Sequence, residues 1–118
     1  MVATPESKVK KKVHAALKEH GAYAVNYIGG AYANNGTPDI LGCYCGRFIA
    51  IECKAGRGKP TALQIKHLRD IDRAGGLSLV INETNIDYLM ECLDAIKTGR
   101  TTESNYSLFA PTPEGTDE

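Results

Sequence analysis

The sequence predicts an α/β domain with a mixed central sheet, in the order α-β-β-β-α-β-α. Three observations point to it. Apolar residues recur at helical spacing in three stretches that open on cap residues and close on glycine. Short β-branched or alternating apolar runs fill the intervals between those stretches. The 118-residue length suits one hydrophobic core. We expect one domain over residues 1–99 and a flexible C-terminal tail over 100–118, rich in Thr, Ser, Pro and Glu and without a period.

Taken in order, Thr4-Pro5 reads as an N-cap with proline at the first helical position, and Val9, Val13, Ala16 and Leu17 share one helix face until Gly21. Residues 22–27 read as a short strand, and the Gly/Asn-rich stretch IGGAYANNG as a loop. Strands at 38–45 and 47–54 are joined by a tight turn near Gly46. AGRGKP is a basic, glycine-rich loop. Thr61-x-x-Gln64 fits a capping box opening a second helix, with Leu68, Ile71 and Ala74 on its apolar side and Gly75-Gly76 as terminator. LSLVI at 77–81 has the composition of an interior strand. A third helix starts near Asn85 and places Leu89, Met90, Leu93 and Ile96 on one side before Gly99. Tyr106, Leu108 and Phe109 are the tail residues that could dock on a surface groove.

Composition sets limits on function. With 42% hydrophobic and 24% charged residues the chain has a globular rather than a disordered make-up. No run of about eighteen apolar residues is present to span a membrane. The N-terminal MVATPESKVKKK lacks the apolar segment of a secretory signal, so an intracellular location and reduced cysteines are expected. Net charge is zero, but all fourteen Lys and Arg lie within residues 1–100 together with only ten of the fourteen acids. The body is therefore basic and the tail acidic, which permits a polyanionic partner without demanding one.

The informative residues are charges on apolar faces. In an extended strand Ile49, Ile51 and Cys53 point one way while Phe48, Ala50, Glu52 and Lys54 point the other, so Glu52 and Lys54 end a row that is otherwise apolar. Burying either charge alone is costly, so each needs a partner; a plain Glu-Lys pair is one solution. Glu6 stands three residues before Val9 and seven before Val13, on the core-facing stripe of the first helix, where it could also simply serve the helix dipole. Gln64 falls on the apolar side of the second helix, where the capping box alone would account for it. Together with Asp39 these residues form a set of oxygen donors plus one lysine. Several carboxylates suit Mg²⁺ or Mn²⁺, and a neighbouring lysine can act on an attacking water. That is equipment for metal-assisted phosphodiester hydrolysis.

Pro38-Asp39 followed after twelve residues by Glu52-Cys53-Lys54 resembles the PD-(D/E)xK nuclease superfamily. The longer string Gly36-Thr37-Pro38-Asp39-Ile40, Gly46-Arg47, Ile51-Glu52-Cys53-Lys54, Thr61-x-x-Gln64 and Ala74-Gly75-Gly76 resembles its VRR-NUC branch, whose small stand-alone members are typical of bacteriophages. The resemblance covers roughly residues 5–82. It implies a restriction-endonuclease-like core, Asp39 and Glu52 as metal ligands, the Cys53 backbone carbonyl completing the site, and Lys54 acting on the nucleophilic water. It further implies that Glu6 helps to hold or position metal and that Gln64 supports the site from the second helix. Ala62, where many relatives have proline, and Cys53, where an aliphatic residue is usual, depart from the family pattern without removing a chemical group.

The expected activity is that of a Mg²⁺- or Mn²⁺-dependent DNA endonuclease selective for structure (a flap, fork or four-way junction), acting as a homodimer. A non-catalytic branched-DNA-binding protein on the same fold is the alternative, and a phage interaction protein using the Tyr106–Phe109 segment is a third. Arg57 and Lys59 are the favoured DNA contacts, with Tyr32 as a base-stacking candidate. Lys8, Lys10, Lys11 and Lys12 spread around the first helix and are ranked below them, as a solvated surface. Cys43-x-Cys45 with Cys92 is a poor zinc motif, because its spacing is short and strand alternation is expected to place Cys43 and Cys45 in the core.

Overall fold

The structure, a computed structural model, describes residues 4–28 and 35–110. The first helix, α1, spans Pro5–His20. The Thr4 hydroxyl accepts from the Ser7 N–H at its start, and Gly21 closes it in the left-handed conformation at φ 83°. Its buried residues are the expected Val9, Val13, Ala16 and Leu17. Four strands follow as β1 (Tyr23–Asn26), β2 (Ile40–Tyr44), β3 (Arg47–Cys53) and, after helix α2 (Ala62–Arg73), β4 (Leu77–Ile81). Helix α3 (Ile86–Lys97) and a 3₁₀ turn (Tyr106–Phe109) complete the described elements. The sheet order is β1-β2-β3-β4, with β1/β2 and β2/β3 antiparallel and β3/β4 parallel. The expected α/β architecture with a mixed sheet is therefore present.

Alternation of side chains divides the core between two faces of the sheet. Ile40 and Tyr44 of β2, Ile49, Ile51 and Cys53 of β3, and Leu77, Leu79 and Ile81 of β4 pack with the buried stripes of α1 and α3. On the other face Val80 packs with Ile65 and Leu68 of α2, against which Tyr106 and Phe109 rest. The hairpin between β2 and β3 is the two-residue Cys45-Gly46, both at positive φ (49° and 81°), the backbone that matches the right-handed twist of antiparallel strands.

Four expectations change. Asp39 is not inside a strand; it precedes β2, and its carbonyl accepts from the Tyr27 N–H at 2.7 Å. Cys43 and Cys45 are exposed rather than core. Ile40, Gly42 and Tyr44 set the inward phase of β2, and α2 covers β3 and β4 but not the outer half of that face. The strand 77–81 is buried at every position yet lies at the sheet edge. Residues 100–110, expected to start a flexible tail, supply the cover for that edge. Ser104 Oγ accepts from the Ser78 N–H, the Asn105 N–H donates to the Ser78 carbonyl, and the Asn105 side chain pairs with both N–H and C=O of Val80 at 2.7 and 3.1 Å. An uncovered strand edge exposes unpaired backbone groups, and one asparagine side chain here satisfies two of them. The remainder of the expected tail lies outside the described residues.

Candidate metal-binding active site

The site is built by the ends of β2 and β3. Antiparallel register places Ile40 opposite Ile51, so Asp39, one residue before Ile40, comes alongside Glu52 and Cys53. Asp39 is held there by its own carboxylate: Oδ2 accepts from the Cys53 N–H at 2.9 Å. Gly36 brings the chain to this point. It sits at φ 82°, and a Cβ on it would lie 2.7 Å from Leu63 Cγ, so a larger residue would push the Pro38-Asp39 segment off the first turn of α2.

Glu52 is 1% exposed. Its Oε2 lies 3.3 Å from Lys54 Nζ, while Oε1 is buried without a hydrogen-bond partner among the described residues. Burial, then the charge of Asp39, push its carboxyl up to about 7; Lys54 pulls the other way, and Glu6 adds a smaller upward push. A buried carboxylate with one oxygen unanswered is expensive for a protein that needs only stability. The Cys53 thiol is fully buried, and burial followed by the charges of Asp39 and Glu52 raises it to about 12, so the side chain is a neutral core group.

The donor set fits a hard divalent cation in kind: Asp39, just before β2, and Glu52 of β3 offer neighbouring carboxylate oxygens, and the orphaned Glu52 Oε1 is an acceptor that a cation would satisfy. Among the described residues, no three His, Cys, Asp or Glu side chains come together as a group that could hold a metal ion. A cation here would therefore complete its shell with backbone carbonyl oxygen and water, as Mg²⁺ commonly does.

The other expected site residues fall in different places. Glu6 is half-buried on α1, near enough for its charge to act on Glu52 and Cys53. Gln64 completes the capping box of α2: its Oε1 accepts from the Thr61 N–H at 2.8 Å while Thr61 Oγ1 accepts from the Gln64 N–H at 3.2 Å. Among the described residues it makes no hydrogen bond to Asp39, Glu52 or Lys54, so its part at the site is to set the start of α2. Arg57 and Lys59 are exposed in the loop after β3. Sequence reasoning missed the residue that fixes this loop: Glu83 accepts from the Gly56 N–H with both carboxylate oxygens, at 3.2 and 2.9 Å. No periodicity points to a loop acid so distant in sequence. Tyr32 lies outside the described residues.

No protein-family model matches this chain, and no curated protein matches it. Among the described residues no helix is long and apolar enough to cross a membrane.

Proposed function

We propose that this protein is a metal-dependent DNA endonuclease with a restriction-endonuclease-like core of the PD-(D/E)xK type, VRR-NUC branch. The observation that supports this most directly is the buried Glu52 carboxylate, with one oxygen on Lys54 and the other unanswered, beside an Asp39 fixed by the Cys53 N–H. A plain structural ion pair would leave no reason for the second acid or for the orphaned oxygen.

Asp39 and Glu52 would hold Mg²⁺ or Mn²⁺, with the Cys53 carbonyl as the backbone ligand. When bound, such an ion polarises a phosphoryl oxygen and lowers the pKa of a water at the site. Lys54, whose side chain is 15% exposed, sits at the boundary between core and solvent. From there its ammonium group can orient the attacking water and stabilise negative charge that develops on the phosphate. The water oxygen forms a bond to phosphorus and loses a proton to solvent, while a bridging P–O bond breaks and the leaving sugar oxygen takes up a proton from solvent. Glu52 is anchored by the Lys54 contact, so the same lysine that acts on the water also orients a ligand.

The substrate proposed is branched or flapped DNA, since no base-reading module accompanies the site. The working unit proposed is a homodimer. Tyr23, Val25 and Phe48 are 70%, 43% and 45% exposed on one sheet face, and the register aligns Tyr23 with Cys43 and Cys43 with Phe48. A contiguous apolar row of this kind is a usual mark of an interface, and a second copy would cover it.

The test is incubation of the purified protein with Mg²⁺ or Mn²⁺ and a panel of flaps, forks, splayed arms and four-way junctions. Cleavage that needs the metal and is lost in Asp39→Ala is the expected result. A folded protein that leaves every substrate uncut refutes the proposal. Junction binding indifferent to Lys54→Ala, without cleavage, would instead favour a non-catalytic branched-DNA-binding protein.

A further inference from the structure

The flank of α1 beside β1 forms a cleft of about 460 Å³ lined by Ser7, Lys8, Lys10, Lys11, His14 and Asn26. Ser7, Lys11 and His14 fall at intervals of four and three residues and Lys10 stands four before His14, so the polar heads gather on one helix flank instead of spreading around it. His14 Nε2 donates to Asn26 Oδ1 at 2.7 Å and joins the helix to the sheet edge. The ion pairs among the described residues are His20–Asp94, Lys54–Glu52, Lys66–Asp70 and Arg69–Asp70. Lys8, Lys10 and Lys11 take part in none of them. Glu6 stands four residues before Lys10, a spacing that commonly gives a helical ion pair, yet no such pair forms.

The cleft opens next to the proposed active site. Asn26 is paired with Ile40, the residue after Asp39, and the Tyr27 N–H donates to the Asp39 carbonyl. From Ser7 to His14 the helix rises about 10 Å, the axial length of roughly three nucleotides in a duplex strand. Unpaired ammonium groups over aliphatic stems, in a cleft of this length whose sheet wall is paired with the residue next to Asp39, suit a strand of alternating phosphate and sugar.

We propose that the α1–β1 cleft binds the sugar-phosphate backbone of the DNA strand next to the scissile phosphate, with Lys10 and Lys11 as the principal phosphate contacts. This rests on the nuclease proposal for the identity of its partner. It assigns to α1 the backbone contact expected from the exposed loop bearing Arg57 and Lys59.

The experiment compares two charge-matched double variants, Lys10→Ala/Lys11→Ala in the cleft and Lys12→Ala/Lys97→Ala away from it, as full chains. Binding to a fluorescein-labelled DNA fork is followed by anisotropy in EDTA over a range of salt concentrations. The cleft variant should lose at least about tenfold in affinity, and its salt slope should fall by about 2, one for each phosphate contact removed. The control variant should keep the wild-type slope. Equal losses in both variants, an unchanged slope in the cleft variant, or no fork binding by the wild type each overturn the cleft assignment. Because binding is read without metal, a wild type that binds through the cleft but never cuts sinks the nuclease proposal alone. Cutting that survives with no change in the cleft variant's affinity sinks the cleft alone.

Discussion

Replacing Glu52 by Gln separates a carboxylate kept for chemistry from one kept for stability. In the folded, metal-free protein the Glu52 carboxyl is raised from 4.5 to about 7, by burial first and by the Asp39 charge next. Each pH unit of that change corresponds to about 1.4 kcal/mol, so ionising Glu52 costs the native state up to ~3 kcal/mol relative to the unfolded chain. The sign follows from proton binding. Between pH 4.5 and 7 the folded state holds the proton more tightly, so stability is greatest below that window and falls as pH rises through it. Glu52→Gln keeps the shape and removes the titration. Urea denaturation of both proteins in EDTA from pH 4.5 to 8 should give curves that converge at low pH, apart from a constant offset, and diverge by up to ~3 kcal/mol in favour of the variant at pH 8. Adding Mn²⁺ at pH 8 should restore the wild type by about 2.7 kcal/mol at a hundredfold excess over Kd and leave the variant unmoved. Parallel pH profiles, or equal stabilisation of both proteins by Mn²⁺, would refute the claim that Glu52 is a strained carboxylate awaiting a cation.

Lys54→Ala should lower cleavage at least about a hundredfold while retaining fork binding, checked by single-turnover cleavage and anisotropy side by side. The same change removes the ammonium group paired with Glu52, so the metal-free variant should be less stable than wild type at pH 8, by about 3 kcal/mol in urea melts. Asn105→Ala leaves the buried Val80 N–H without its side-chain partner and its C=O with the Asn85 amide alone, and should cost about 2 kcal/mol in the same assay, with a lowered Tm. Tyr23→Asp alters a residue that is 70% exposed, so it should leave the protomer folded by circular dichroism while sedimentation shifts from dimer to monomer; an unchanged dimer places the interface elsewhere.

Much of the architecture was legible because local signals agreed with the tertiary outcome. Thr4, Pro5 and Gly21 bound the first helix, and the Thr61-Gln64 box opens the second, as capping chemistry requires. The core faces of α1 and β3 follow from periods of 3.6 and 2 alone. Cys45 lies in the hairpin turn and escapes alternation altogether, and Cys43 shows where that reasoning stops within a strand. Alternation places side chains on one face or the other, but which part of a face a helix covers depends on where α2 lies, and no residue in β2 encodes that. The strand 77–81 is a similar case: its uniform burial is written in its composition, but the cover over its edge comes from Ser104 and Asn105, read from sequence as unstructured.

The candidate site divides the same way. The sequence by itself determined which chemical groups are available, the Asp39, Glu52 and Lys54 set at the neighbouring ends of one hairpin, because a two-residue turn makes the β2–β3 register follow from counting. Only the tertiary structure decided what those groups experience. Glu52 is raised toward neutrality because burial keeps water from it and Asp39 stands beside it, and Gln64 is taken up by the capping box with Thr61. The lysines of α1 read as a surface spread around a helix until β1 packed beside them and made a cleft of one flank. Residue type and spacing are local and travel with the chain; burial, dielectric and the shape between elements exist only once distant segments meet.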